Sequence, residues 1–212
     1  MIKSVFFDVA NTLLEKPELF SRITGALEKN GHFVSQDDLR HVHKFLAEAF
    51  VFPDKTSREF YSEFNTHLLY ALGIAPSEQL LNDIFEACTY LPWQAFPDTN
   101  ALPDIPLPLG ILSNWDSSLR DKLQQHFTVD FKWILCSQVE GVKKPNPLFF
   151  KRMMDESGLE PSEILFVGDS MKLDVHPALQ LGVKAVLIDR QNHFPHANVA
   201  RIQHLNQVMQ WL

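Results

Sequence analysis

From about residue 107 onward, short apolar runs alternate with amphipathic stretches, and this alternation restricts the possible folds more than any other feature of the chain. Runs at 107–112, 132–136, 164–167 and 184–188 have the length and composition of buried strands, and 116–126, 147–157, 171–181 and 201–212 read as helices. Such repetition requires parallel strands joined by right-handed crossovers. Residues 3–8, β-branched and aromatic, supply one more strand at the start. Three prolines between Ala101 and Pro108 predict a loop where a helix would otherwise precede the second strand.

Residues 17–90 break the alternation and carry only helical patterns. Leu19, Phe20, Ile23 and Leu27 recur at helical spacing before Gly31. Ser35 with Asp38, and Thr56 with Glu59, read as capping boxes, while Pro76-Ser77 opens a helix carrying Leu80, Leu81, Ile84 and Phe85. The expected fold class is therefore α/β: a doubly wound parallel sheet with a helical cap inserted after the first strand. Residues 1–15 plus 95–212 form the core domain and 16–94 the cap. At 212 residues and 45% hydrophobic content, the chain can bury a full core.

A formal charge of −7 and the lack of any Lys/Arg cluster argue against a nucleic-acid partner. Cys88 and Cys136 are far apart and form no CxxC pair, so reduced thiols are expected. Asp8 interrupts the N-terminal apolar run, leaving it too short for a signal peptide or membrane span. A cytoplasmic protein is the expectation.

Asp8, Ser113 and Asp169 each fall at the C-terminal end of an expected strand, and Lys144 follows another. In open parallel sheets, ligands bind in the crevice beyond those ends. Four segments spread over the chain thus converge on one edge.

Val5-Phe-Phe-Asp-Val-Ala-Asn-Thr-Leu13, Ser113-Asn114, Lys144-Pro145, and Gly168-Asp169-Ser170 with Asp174 together resemble the signature of the haloacid dehalogenase superfamily, mostly phosphohydrolases. The resemblance implies that Asp8 attacks phosphorus to form an aspartyl-phosphate. It implies Mg²⁺ held by the Asp8 and Asp169 carboxylates and the backbone carbonyl of Ala10, a hard-oxygen set suited to that ion. Ser113 and Lys144 are the donors for the transferring oxygens. Thr12 and Asn114 belong to the phosphate side of the site, with Thr12 also fixing the turn. Asp174 fixes Lys144 or a metal-bound water. Asn11 stands where the family usually has Gly, and Asn tolerates a left-handed backbone. The implied partner is a small phosphorylated or phosphonate substrate.

One position departs from the pattern. Where the phosphatases carry a second Asp, this chain has Ala10, and an alanine methyl moves no protons. Three readings follow: a phosphatase that is slow or favours acidic leaving groups, with Glu15 or a cap residue standing in; a carbon–phosphorus hydrolase like the phosphonoacetaldehyde hydrolases, with Lys44 or Lys55 as Schiff base; or a phosphate-binding protein without turnover. The dehalogenases themselves fit less well, since they have an aromatic residue at this position and use no metal. His41 and His43 face different directions on one helix, and His193 and His196 read as a surface turn, so neither pair is assigned a metal. Trp115 and the aromatic group Phe50, Phe52, Phe60, Tyr61 and Phe64 read mainly as packing.

Overall fold

The computed structural model describes residues 1–212. In chain order the elements are β1 (Ser4–Phe7), β2 (Leu14–Glu15), α1 (Leu19–Lys29), α2 (Gln36–Ala49), α3 (Arg58–Ala71), α4 (Glu78–Ala87), β3 (Gln94–Ala95), β4 (Leu109–Ser113), α5 (Leu119–His126), β5 (Phe131–Cys136), α6 (Ser137–Glu140), α7 (Pro147–Ser157), β6 (Ile164–Gly168), α8 (His176–Gln180), β7 (Lys184–Ile188) and β8 (Arg201–Ile202). Six strands form one sheet in the order β5-β4-β1-β6-β7-β8, and every neighbouring pair is parallel. β1 lies inside it, between β4 and β6, with all four of its residues buried. A strand covered on both faces must be apolar throughout, which is why Val5-Phe6-Phe7 reads as a continuous run.

The chain divides into two compact units. One comprises Met1–Glu15 and Gln94–Leu212, the other Lys16–Trp93. In the sheet unit, Phe6, Leu112, Leu135, Phe149, Phe150, Ile164, Phe166 and Leu187 share one buried cluster. Burying each such side chain stabilises the fold by roughly 1.5–3 kcal/mol before entropy is counted. Gly110 lets β4 approach β1, because a Cβ there would collide with the Phe6 ring.

The helical unit packs α1 to α4 around Ile23, Leu27, Leu39, Leu68, Leu69, Leu80 and Ile84. Ser35 caps α2 by accepting the Asp38 N–H at 3.0 Å. Ser77 caps α4 in the same way, from Leu80 N–H at 3.2 Å. The cap of α3 is Ser57 and not Thr56: the Ser57 hydroxyl accepts the Phe60 N–H at 3.2 Å, and the helix starts one residue later than expected. No helix is long and apolar enough to cross a membrane.

Three further segments differ from their sequence reading. The proline-rich stretch holds a 3-10 helix, Pro97–Asp104, that buries Thr99 and Leu102. Residues 171–181 are a wide π-helical turn, Met171–Val175, followed by the short α8. The extra residue in that turn puts Asp174 and Val175 inside. Residues 201–212 are not one helix, because Arg201 and Ile202 pair with Leu187 and Ile188 at the sheet edge. A 3-10 helix then follows, Leu205–Trp211, whose three-residue turn buries Leu205 and Val208 together. β2 and β3 form an antiparallel ribbon too short to leave a periodic signal, and it marks where the chain leaves the sheet unit and where it returns.

Candidate active site

Asp8 follows β1 directly, and its N–H donates to the Val167 carbonyl of β6 at 3.0 Å. The turn after it is compact: the Val9 carbonyl accepts from the N–H groups of Thr12, Leu13 and Leu14 at 3.3, 2.9 and 2.9 Å. Asn11 makes that geometry with φ of 59°, in the left-handed region that its side chain tolerates. Ala10 is half-buried within the turn, and its side chain ends at the methyl.

Ser113 ends β4, and its hydroxyl donates to Asp8 Oδ1 at 3.0 Å. Lys144 reaches the same oxygen, with Nζ 2.7 Å away, and also lies 2.6 Å from Asp174 Oδ1. The other Asp174 oxygen accepts the Ser170 N–H at 3.0 Å. Thr12 Oγ1 makes a long 3.4 Å contact to Asp8 Oδ2. Gly168 is required beside this group, since a Cβ at that position would run into the Asp174 side chain.

Lys144 and Asp174 are only 2% and 1% exposed, so this is a charge cluster taken out of water. Burial opposes the charge of Lys144, yet the carboxylates of Asp174 and Asp8 more than reverse that effect and hold its ammonium protonated far above the usual lysine range. Burial pushes the Asp174 carboxyl up, and the charges of Asp8 and Asp169 add to this while Lys144 opposes it. A buried ammonium at hydrogen-bond distance from two carboxylates stays charged, so the ionised Lys144 sets the state of the group.

Asp8, Asp169 and Asp174 can each offer an oxygen within 4.8 Å of the others. One ammonium faces three acids here, an oxygen-rich group that suits a divalent cation. Asp174 spends one oxygen on Lys144 and the other on the Ser170 N–H, which ties it to the lysine.

Asn114 binds backbone. Its Nδ2 donates to the Lys144 carbonyl at 3.0 Å and its Oδ1 accepts the Lys144 N–H at 2.8 Å, so one side chain fixes both ends of that residue. Next to it, the Trp115 N–H donates to Ser137 Oγ at 3.0 Å and the Ser117 N–H to Gln138 Oε1 at 2.7 Å. The loop after β4 is thereby fastened to the segment that leads to Lys144.

Other residues singled out from the sequence lie elsewhere in the fold. Glu15 belongs to β2. Lys44 pairs with Glu48 at 3.1 Å along α2, and Lys55 is exposed before α3; both are in the helical unit. His193 Nε2 sits 2.9 Å from Gln191 Oε1, and His196 is exposed. Sequence reasoning missed Ser170, the buried cap of the wide turn, whose Ser after Gly-Asp was a readable N-cap signal. It also missed Arg190 and Asp98, paired at 2.8 Å across 92 residues, for which the sequence carried no signal beyond Arg190 following a strand.

A family of haloacid dehalogenase-like hydrolases matches residues 2–182 of this chain. The glyceraldehyde 3-phosphate phosphatase of Methanopyrus kandleri is 26% identical over 217 residues, covering 90% of this chain and 85% of that protein. The protein of the same name from Pyrococcus furiosus is 33% identical over 75 residues, 35% of this chain, and the match spans only 30% of that relative's length. Among solved structures, a haloacid dehalogenase-type phosphatase from Thermococcus onnurineus superposes with a TM-score of 0.59 at 25% identity, covering 99% of this chain and 97% of the other. With the parallel sheet, the carboxylate group at its edge and a family match over most of the sequence, the chain belongs to the haloacid dehalogenase-like hydrolases.

Proposed function

We propose that this hydrolase is a Mg²⁺-dependent phosphatase that cleaves small phosphate monoesters through an aspartyl-phosphate on Asp8. The observation that carries this reading is the Asp8 carboxylate, held at Oδ1 by both Ser113 and Lys144 inside one group of three acids. The names of the two relatives, both phosphatases of a small phosphorylated metabolite, support the substrate class. Two free cysteines agree with a cytoplasmic location.

Asp8 and Asp169, with the Ala10 carbonyl, would hold the cation, which when bound removes the repulsion between carboxylate and phosphate. Lys144 and Ser113 hold the Asp8 carboxylate in one rotation and present an ammonium and a hydroxyl toward the transferring oxygens. Asp174 keeps Lys144 in place. An Asp8 oxygen forms a bond to phosphorus while the ester oxygen departs with the bonding electrons. Water then attacks the same phosphorus, the bond to Asp8 breaks, and phosphate leaves with the carboxylate restored. Ala10 delivers no proton to the departing oxygen, so the leaving group carries its own negative charge.

The test follows from that last point. With Mg²⁺ present, nitrophenyl phosphate should turn over far faster than an alkyl phosphate, and Asp8→Asn should remove both activities. Ala10→Asp should raise the alkyl rate toward the roughly 10²–10⁴-fold that general acid catalysis supplies. Absence of turnover on every phosphate ester, in a wild-type protein that still binds Mg²⁺, would sink the phosphatase reading.

A further inference from the structure

Arg190 follows β7, outside every segment used above. Its guanidinium takes Asp98 in a two-point pair, Nε to Oδ2 at 2.9 Å and Nη2 to Oδ1 at 2.8 Å. The same group donates to the carbonyls of Asn11 at 3.3 Å and Thr12 at 2.9 Å, and lies over the Phe96 ring with Cζ 3.9 Å from its centre. Both members of the pair are mostly buried, with Arg190 15% and Asp98 17% exposed. Asp98 Oδ2 also accepts the Leu205 N–H at 2.9 Å, so the carboxylate cannot swing away without losing a second bond.

Two peptide planes of the turn after Asp8 are consequently held at both ends. The plane joining Asn11 to Thr12 donates its N–H to the Val9 carbonyl and gives its C=O to Arg190. The plane joining Thr12 to Leu13 does the same, with N–H to Val9 and C=O to Arg190. A plane fixed at one end can still rock; fixed at both, its dihedrals are set. The fork of Arg suits this task, because its donors diverge in one plane toward a carboxylate and two carbonyls at once.

We infer that Arg190 is a positioning residue for the candidate active site, setting the turn that contains Ala10, whose carbonyl is proposed above for Mg²⁺, and that places the Thr12 hydroxyl 3.4 Å from Asp8, with Asp98 and Phe96 holding the guanidinium in register. The inference rests on the proposed Mg²⁺ role of that turn. It adds a dependence of the site on the segment Phe96–Asp98, which follows the return strand β3, and on the end of β7.

The test uses the full chain and reads two quantities: Mg²⁺ affinity by calorimetry, and backbone amide exchange in the metal-free protein. Arg190→Met should weaken Mg²⁺ binding by roughly 10- to 100-fold, the usual range for groups that orient metal ligands. It should speed exchange at Leu13 and Leu14 by at least about tenfold while β6 and α1 amides stay as protected as before. Arg190→Lys keeps the charge but not the fork, so it should fall between wild type and Met, and it serves in place of Arg190→Met if that variant fails to fold. A merely structural role would lower protection across the whole sheet unit and leave the affinity of the folded fraction unchanged; that result overturns the inference. If wild type and Arg190→Met bind Mg²⁺ equally, the inference fails and the functional reading stands. If the wild type takes up no Mg²⁺, the functional reading fails and takes this inference with it.

Discussion

The two units bury titratable groups by opposite means. At the sheet edge, Lys144, Asp8 and Asp174 are enclosed as charges and each is matched by an opposite partner. In the helical unit, the His43 ring sits edge-on between Phe20 and Phe64 at 5.2 and 5.1 Å, and burial lowers its pKa to about 4, with the nearby Lys44 charge acting in the same direction. It is therefore enclosed neutral. Arg58 with Glu86 and Arg22 with Glu18 lie on the surface of that unit, where such pairs contribute little, and Lys44 with Glu48, 16% and 15% exposed, is a single mostly buried pair along one helix. Keeping charges out of water costs several kcal/mol per ion even when paired, and that cost is greatest at the sheet edge, where Lys144 is almost fully buried between two carboxylates. The comparison sets the buried charge cluster at the sheet edge apart from the aromatic packing around His43.

The largest effect should come from the carboxylate itself. Asp8→Asn keeps size and hydrogen-bonding reach but removes the proposed nucleophile, and phosphate release should fall by roughly 10⁴-fold or more in a continuous assay. Retained turnover would place the attack elsewhere.

Lys144→Met separates charge from volume. It leaves two enclosed carboxylates facing each other without their cation, which should cost about 3–5 kcal/mol in denaturant unfolding. Mg²⁺ should recover part of that loss. A variant as stable as wild type would mean that the sheet edge does not depend on paired charge, and the contrast between units would collapse.

The helical unit makes the opposite prediction in pH. The folded-state pKa of His43 lies below its unfolded value, so its contribution is complete above about pH 6.5 and is lost as pH falls toward 4. The drop from 6.5 to about 4 limits the loss to about 3 kcal/mol. His43→Leu should flatten this acid-side slope in urea titrations at pH 7 and pH 5; an unchanged slope would show that another group sets it.

A smaller effect is expected at Gly168. Adding a methyl there displaces Asp174, and Gly168→Ala should lose about 1–3 kcal/mol, with a lowered turnover number as Lys144 loses its second partner. Thermal unfolding together with steady-state kinetics reads both. Wild-type behaviour would mean that Asp174 has room to move.

Much of this was readable because strand ends are local. The runs at 164–167 and 184–188 became β6 and β7 with little change, and Asp8, Ser113 and Asp169 fell at strand ends as their positions implied. Ser35 and Ser77 were readable because a cap is made with an N–H three residues on. The errors have equally local causes. Ser57 and Thr56 are adjacent and can both cap, so periodicity could not choose between them. The last twelve residues looked helical because Leu205 and Val208 suit a three-residue turn as well as an α-helix, while β8 needed its neighbour β7 to exist at all.

Taken alone, the sequence determined the α/β class, the helical insert and the placing of Asp8 and Asp169 at strand ends, since each follows from residue type, spacing and strand direction. Only the tertiary structure decided that Asn114 spends its amide on Lys144, that Asp174 turns inward through a π-helical turn, and that Arg190 meets Asp98. Those are contacts between residues many positions apart, and hydrogen-bond directions across a folded edge leave no periodic trace in a one-dimensional chain.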